Sequence, residues 1–284
     1  MLPFWLSIAV LSLAQGALVA VPGTVALPGF LSARGRLWAL IPPLSVVGFV
    51  LITTAAQRAS SQGLTYLALV AVPPLAALAL GALSHGSRPA LAWVVLPLFV
   101  LAWADRGGLA GNTAALILSA LSCVTLGVLL AALTPPIWLG VGIIAMAVVD
   151  TALVVSDLLQ RPNNALNAAH PALRLPRLQS EVFGSAVMGY GDIFIAALLG
   201  ALLVASMGRS AQRMGAVLTA VFALALDLLF FFVDELPATV PVALAMIAVV
   251  AIRRRSERRG ESTRTAPHPD GPRGVPPGPA RAAR

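Results

Sequence analysis

Residues 187–205 read "VMGYGDIFIAALLGALLVA", an apolar run in which Asp192 is the only charge before Arg209. A run of this length, at about 1.5 Å per residue, covers the hydrocarbon core of a bilayer as a helix. The stretch therefore decides two things at once: the solvent of this chain is lipid, and a carboxylate stands in it. An acid there costs about 3 kcal/mol on insertion scales and more for an isolated helix, so it marks function by default. Asp192 needs a partner from elsewhere in the chain.

Composition agrees with the membrane reading. The 284 residues are 58% hydrophobic and 11% charged, with mean hydropathy +0.90, far from the soluble globular range. The formal charge of +8 points to no nucleic acid, because the arginines lie in short loops and beyond residue 252, where they set topology and meet anionic lipid. The single cysteine, Cys123, excludes an intramolecular disulfide and reads as a small packing residue. His85, His170 and His268 fall in loops or the tail without ligand spacing, so neither a metal nor an organic cofactor is expected.

Nine apolar runs, near 3–28, 37–56, 64–83, 89–104, 113–133, 136–158, 184–206, 214–233 and 236–252, predict an all-α polytopic protein of nine transmembrane helices. The first run has no basic n-region and extends to Arg34, too far for a signal peptide, and reads as a retained span. Residues 1–135 are expected to form a scaffold of spans one to five. Residues 136–252 hold spans six to nine and one long loop, 159–183. Residues 253–284, rich in Arg, Pro and Gly, are expected to be a disordered cytoplasmic tail. Five arginines in 253–259 place the C-terminus inside, and nine spans then place the N-terminus outside, in a plasma-membrane orientation. "SARGR" and "GRSAQR" fall inside as the rule requires; the loop holding Arg161, Arg174 and Arg177 falls outside against it.

The chemistry concentrates in the C-terminal half. Residues 1–104 contain no Asp or Glu, and the three acids inside spans are Asp150, Asp192 and Asp227. Span six, "PIWLGVGIIAMAVVDTALVVSDLL" (136–159), carries Asp150. If span six ends near 158 and span seven begins near 184, each aspartate lies about eight residues, or roughly 12 Å, from the outer end of its helix. Two carboxylates at one depth on antiparallel neighbours can share a site and hold one proton between them. One is then a base and the other an acid, as peptide hydrolysis by an activated water requires. Gly189 and Gly191 flank the site with no side chains and admit a close backbone. Asp227 admits three readings: a bond to a neighbouring helix, which is favoured, tuning of the pair, or a wet position near the surface. Asp157, at the membrane boundary, reads as solvated.

"GYGD" at 189–192, preceded by a span bearing Asp150, resembles the GxGD intramembrane aspartyl proteases of the presenilin and signal peptide peptidase type, here as a bacterial or archaeal-like member. That resemblance implies nine helices, a catalytic dyad of Asp150 and Asp192, and an active-site turn of Gly189, Tyr190 and Gly191. It also implies a substrate-binding motif at the start of span nine, where "LPATVPVAL" supplies Pro237 and Ala238, with Thr239 in place of the family's leucine. Val149 stands where the family has tyrosine. The implied activity is endoproteolysis of transmembrane segments of membrane proteins or signal peptides, with substrates whose N-terminus is inside. Two alternatives stand beside it. A prepilin-peptidase-like GxGD protease normally has a Lys-bearing cytoplasmic segment after the motif, whereas "GDIFIAAL" continues as apolar helix. A proton- or cation-coupled transporter uses membrane acids, often in two related halves, which this chain lacks.

Overall fold

The computed structural model describes residues 3–24, 35–233 and 235–264. Most of "SARGR", Asp234 and the tail beyond Arg264 lie outside them. Among the described residues ten α-helices follow in order: α1 (Phe4–Val19), α2 (Ile41–Ala55), α3 (Gln57–Leu78), α4 (Val95–Ala104), α5 (Leu109–Leu133), α6 (Pro136–Val155), α7 (Gln160–Ala168), α8 (Tyr190–Met207), α9 (Arg209–Asp227) and α10 (Val240–Arg264). One hairpin, β1 (Ser180–Phe183) and β2 (Ala186–Gly189), lies between α7 and α8.

Among the described residues, six helical segments are long and apolar enough to cross a membrane: Arg36–Ala55, Ala59–Leu83, Leu109–Leu133, Pro136–Val155, Tyr190–Met207 and Arg209–Phe231. Phe4–Val19 and Pro89–Ala104 are apolar but shorter. The chain is a helical membrane protein. It divides into a unit that ends at Val249 and a second that begins at Val250, of which the described part is helix.

α8 is the central helix of the first unit. From Ile195 to Val204 every side is buried, so it has no polar face, as expected of a helix surrounded by others. It packs on α5, α1, α9 and α6. Small residues set the spacing. A Cβ on Gly127 of α5 would stand 3.0 Å from the Ala197 carbonyl carbon and the Leu198 nitrogen of α8, and one on Gly200 of α8 would meet the backbone of Val19 at the end of α1. Backbones in contact gain dispersion energy that lipid tails cannot replace. Two clusters form the core. Leu11, Leu118, Cys123, Val124 and Ile193 belong to one; Leu139, Ile143, Met146, Leu199, Leu203 and Val242 belong to the other.

The loop expected at 159–183 is structured in part. It contains α7 and β1, and the hairpin pairs Ser180 with Gly189, Glu181 with Met188, Val182 with Val187 and Phe183 with Ala186. Its two-residue turn is Gly184-Ser185, and Gly184 has φ +59°, the left-handed value that glycine adopts readily and tight hairpins need.

Three expectations are corrected. Span six ends at Val155 and not near 158, and span seven begins at Tyr190 and not near 184. Asp192 therefore lies in the first turn of its helix, and equal depths of roughly 12 Å do not describe the pair. The helix starts late because Gly189 is extended (φ −73°, ψ 146°) and ends a strand. The third concerns residues 253–264, which continue α10 and are not disordered. A helix already nucleated by apolar residues 240–252 propagates cheaply, and Arg253 and Glu257 stand four residues apart in favourable charge register.

Candidate active site

Asp150 lies near the C-terminal end of α6 and is 7% exposed. Its Oδ2 accepts a hydrogen bond from the Thr239 hydroxyl at 2.7 Å. Thr239 is itself fully buried, in the turn that leads into α10. Thr239 is thus the partner of an aspartate. Pro237, Ala238 and Pro241 line the cavity, and Thr239 is not among its lining residues.

Asp192 is the third residue of α8, and its Oδ2 accepts from the Gly189 backbone N–H at 3.1 Å. This is one half of a capping box, the acid at N3 reaching back to the residue that precedes the helix. Gly189 has no side chain to supply the other half. The expected turn of Gly189, Tyr190 and Gly191 is instead the junction of a strand and a helix: Gly189 ends β2, and Tyr190 and Gly191 open α8. Tyr190 is fixed by its hydroxyl, 2.7 Å from that of Ser122 on α5.

Asp150 and Asp192 interact electrostatically and line one cavity of about 930 Å³ together with Gly189, Tyr190, Gly191, Pro237 and Ala238. That volume lies in the upper part of the usual range for ligand pockets, about 300–1,000 Å³. The cavity unites residues that the sequence scatters over four elements, and its wall is mainly apolar, with Asn163, Asn164 and Asn167 of α7 among the polar exceptions.

Two contributors were not singled out in the sequence. Gln15 of α1, 1% exposed, donates through Nε2 to the Ala238 carbonyl at 2.8 Å and to the Asp192 carbonyl at 3.2 Å. It ties the turn before α10 to the first turn of α8. Its signal was available, because a lone glutamine inside an apolar run needs buried partners. Ser12, one turn earlier, donates to Asp227 Oδ2 at 2.7 Å. Asp227 therefore bonds a neighbouring helix while also lining the cavity.

Comparison with known proteins found no matching family model, no matching curated relative and no matching solved structure.

Two expected results follow from these bonds. Thr239→Val removes the donor to Asp150 while keeping the shape, and a hydrogen bond to a charged group is worth about 1.5–3 kcal/mol. Any turnover that depends on Asp150 should fall about tenfold or more, by about 1.4 kcal/mol per decade, with KM little changed, and Thr239→Ser should restore it. Equal rates for Thr239→Val and the native chain would remove Thr239 from the site. Asp227→Asn keeps an oxygen that accepts from Ser12, so cleavage should stay within about threefold of native, as for a buried polar contact preserved in kind. A loss as deep as that of a dyad variant would move Asp227 into the chemistry.

Proposed function

We propose that the chain is an intramembrane aspartic endopeptidase of the GxGD type, with Asp150 and Asp192 as its dyad. The observation that carries this reading is the cavity itself: two acids from different helices interact across it, and a backbone clamp of Gln15, Asp192 and Ala238 borders it.

The chemistry needs only side chains and water. One carboxyl is ionised and the other protonated, as close carboxylates are at neutral pH. The ionised member takes a proton from a water held between them as its oxygen bonds to the scissile carbonyl carbon, and the protonated member gives its proton to the carbonyl oxygen. The resulting gem-diol returns a proton to the carboxylate and the C–N bond breaks, the amine leaving with a proton from the dyad. No metal or organic cofactor takes part in these steps.

The substrates are transmembrane segments of membrane proteins or signal peptides, unwound locally so that a carbonyl is exposed, with Pro237 and Ala238 at the entrance. Nine spans, with the C-terminus in the cytoplasm and the N-terminus outside, suit this activity; the arginines from Arg253 onward support that orientation.

The test is cleavage of single-span reporter peptides by the full chain in lipid vesicles, compared with Asp150→Asn and Asp192→Asn. Cleavage lost in both variants supports the dyad. Cleavage that survives both removes it and favours ion flux as the next assay.

A further inference from the structure

Glu181 is the one acid of the hairpin, and it is 1% exposed. Neither carboxyl oxygen has a hydrogen-bond partner in bonding geometry. The Glu181 backbone N–H, and after it Ser119 of α5, favour the charged form, but the Ser119 hydroxyl already donates to the Leu178 carbonyl at 3.3 Å. β1 packs on α5, β2 and α1. From α5 the only titratable group is Cys123, beside Ser119 and Ser122; β2 and α1 contribute none. From α8 come Tyr190, bonded to Ser122, and Asp192, whose charge acts on Glu181 directly. Among the described residues, no cation is among the groups acting on it. An unpaired buried carboxylate is one of the costliest groups a fold can hold, whereas a neutral acid is tolerable. Burial, reinforced by the Asp192 charge, pushes the Glu181 carboxyl up to about 8.

The position gives this acid leverage. Its strand is registered against β2, with Ser180 opposite Gly189 and Glu181 opposite Met188, so the seating of Glu181 on α5 fixes where Gly189 lies. Gly189 in turn donates to Asp192. We propose that Glu181 is a neutral positioning residue, a pH-sensitive latch that seats the hairpin on α5 and thereby holds Gly189 and Asp192, and that its ionisation unseats the hairpin. The proton passes to hydroxide or water at the hairpin and no other group changes charge. Glu181 touches no reacting atom.

The direction follows from linkage. Between the ordinary glutamate value of 4.5 and about 8, the folded hairpin holds a proton that the unseated one releases, so seating weakens as pH rises through that window. Above about 8 the seated form must carry the charge itself. The inference rests on the protease reading only for its effect on catalysis, so two readouts are needed.

The first is amide hydrogen exchange of residues 178–192 in the full chain in vesicles, between pH 6 and 9.5, corrected for intrinsic base-catalysed acceleration. Protection should fall in the native chain as pH rises from 6 through about 8 and flatten above that, and stay level in Glu181→Gln. The second is the ratio of reporter cleavage at pH 9 to that at pH 7. About one tenth of an acid with a pKa near 8 remains protonated at pH 9, so the ratio should fall about tenfold for the native chain and should not fall for the variant. Native protection unchanged up to pH 9.5 overturns the latch even if the variant fails to fold. So does an identical alkaline loss in the native chain and the variant. A chain that cleaves no reporter yet loses hairpin protection as pH rises from 6 through about 8 keeps the latch and loses the protease reading.

Discussion

Asp150→Asn and Asp192→Asn are each expected to lower reporter cleavage by about three orders of magnitude while the chain stays folded. Positioned acid–base groups contribute about 10²–10⁴ in rate, and in the proposed cycle each aspartate serves in both proton transfers. Asparagine can neither take the proton from water nor give one to the carbonyl oxygen. It does retain a carbonyl oxygen in the position of Oδ2. At 150 that oxygen still accepts from Thr239, and at 192 it still accepts from the Gly189 N–H. The substitutions thus separate chemistry from structure better than alanine does. Asp192→Ala would strip Gly189 of its partner, at about 1 kcal/mol for a lost helix-start bond. The measurement is the initial rate in vesicles, alongside a thermal melt of each variant. Native-like melting with cleavage absent in both is the expected pair of results; cleavage within tenfold of native in either variant would end the assignment of that aspartate.

The membrane class and the position of the acids were legible because a bilayer demands long apolar helices and makes a charge inside them conspicuous. Asp150 and Asp192 were matched by counting residues inward from presumed span ends. Those ends were wrong by three residues at Val155 and six at Tyr190, yet the two acids line one cavity. A hairpin does what equal helix depth was expected to do: it delivers Asp192 at the start of α8. Its signal stood in the sequence, since "SEVF" and "AVMG" flank Gly184-Ser185, a pair that suits a two-residue turn. The apolar run from 186 onward masked it, because short apolar stretches do not distinguish strand from helix by periodicity. The partners of Thr239, Gln15 and Ser12 were beyond reach for another reason. They are 89, 223 and 215 residues away, and only packing brings such residues together.

That packing can be tested through Gly200, whose substitution should have the largest effect on stability. A Cβ at Gly200 would collide with the backbone oxygen of Val19 and stand 2.8 Å from its carbonyl carbon. The obstacle is backbone, which cannot rotate aside as a side chain does, and Val19 is fully buried where α1 ends. On its other flank α1 is held as tightly, since a Cβ on Gly16 would be 2.6 Å from that of Ala220 on α9. α1 has no room to retreat. Gly200→Val should therefore cost about 3 kcal/mol or more, the upper end for overpacking a filled core, read as a lowered midpoint of unfolding in detergent. Gly48→Ala, where a Cβ meets nothing within 4 Å, is the control and should leave the midpoint near native. The effect should also reach the chemistry. Pushing α1 from α8 moves Gln15 away from the Asp192 and Ala238 carbonyls, so whatever Gly200→Val protein remains folded should cleave more slowly than the stability loss alone explains. A native midpoint for Gly200→Val would mean that α1 does not lie against α8 there, and the backbone clamp at the aspartates would fall with it.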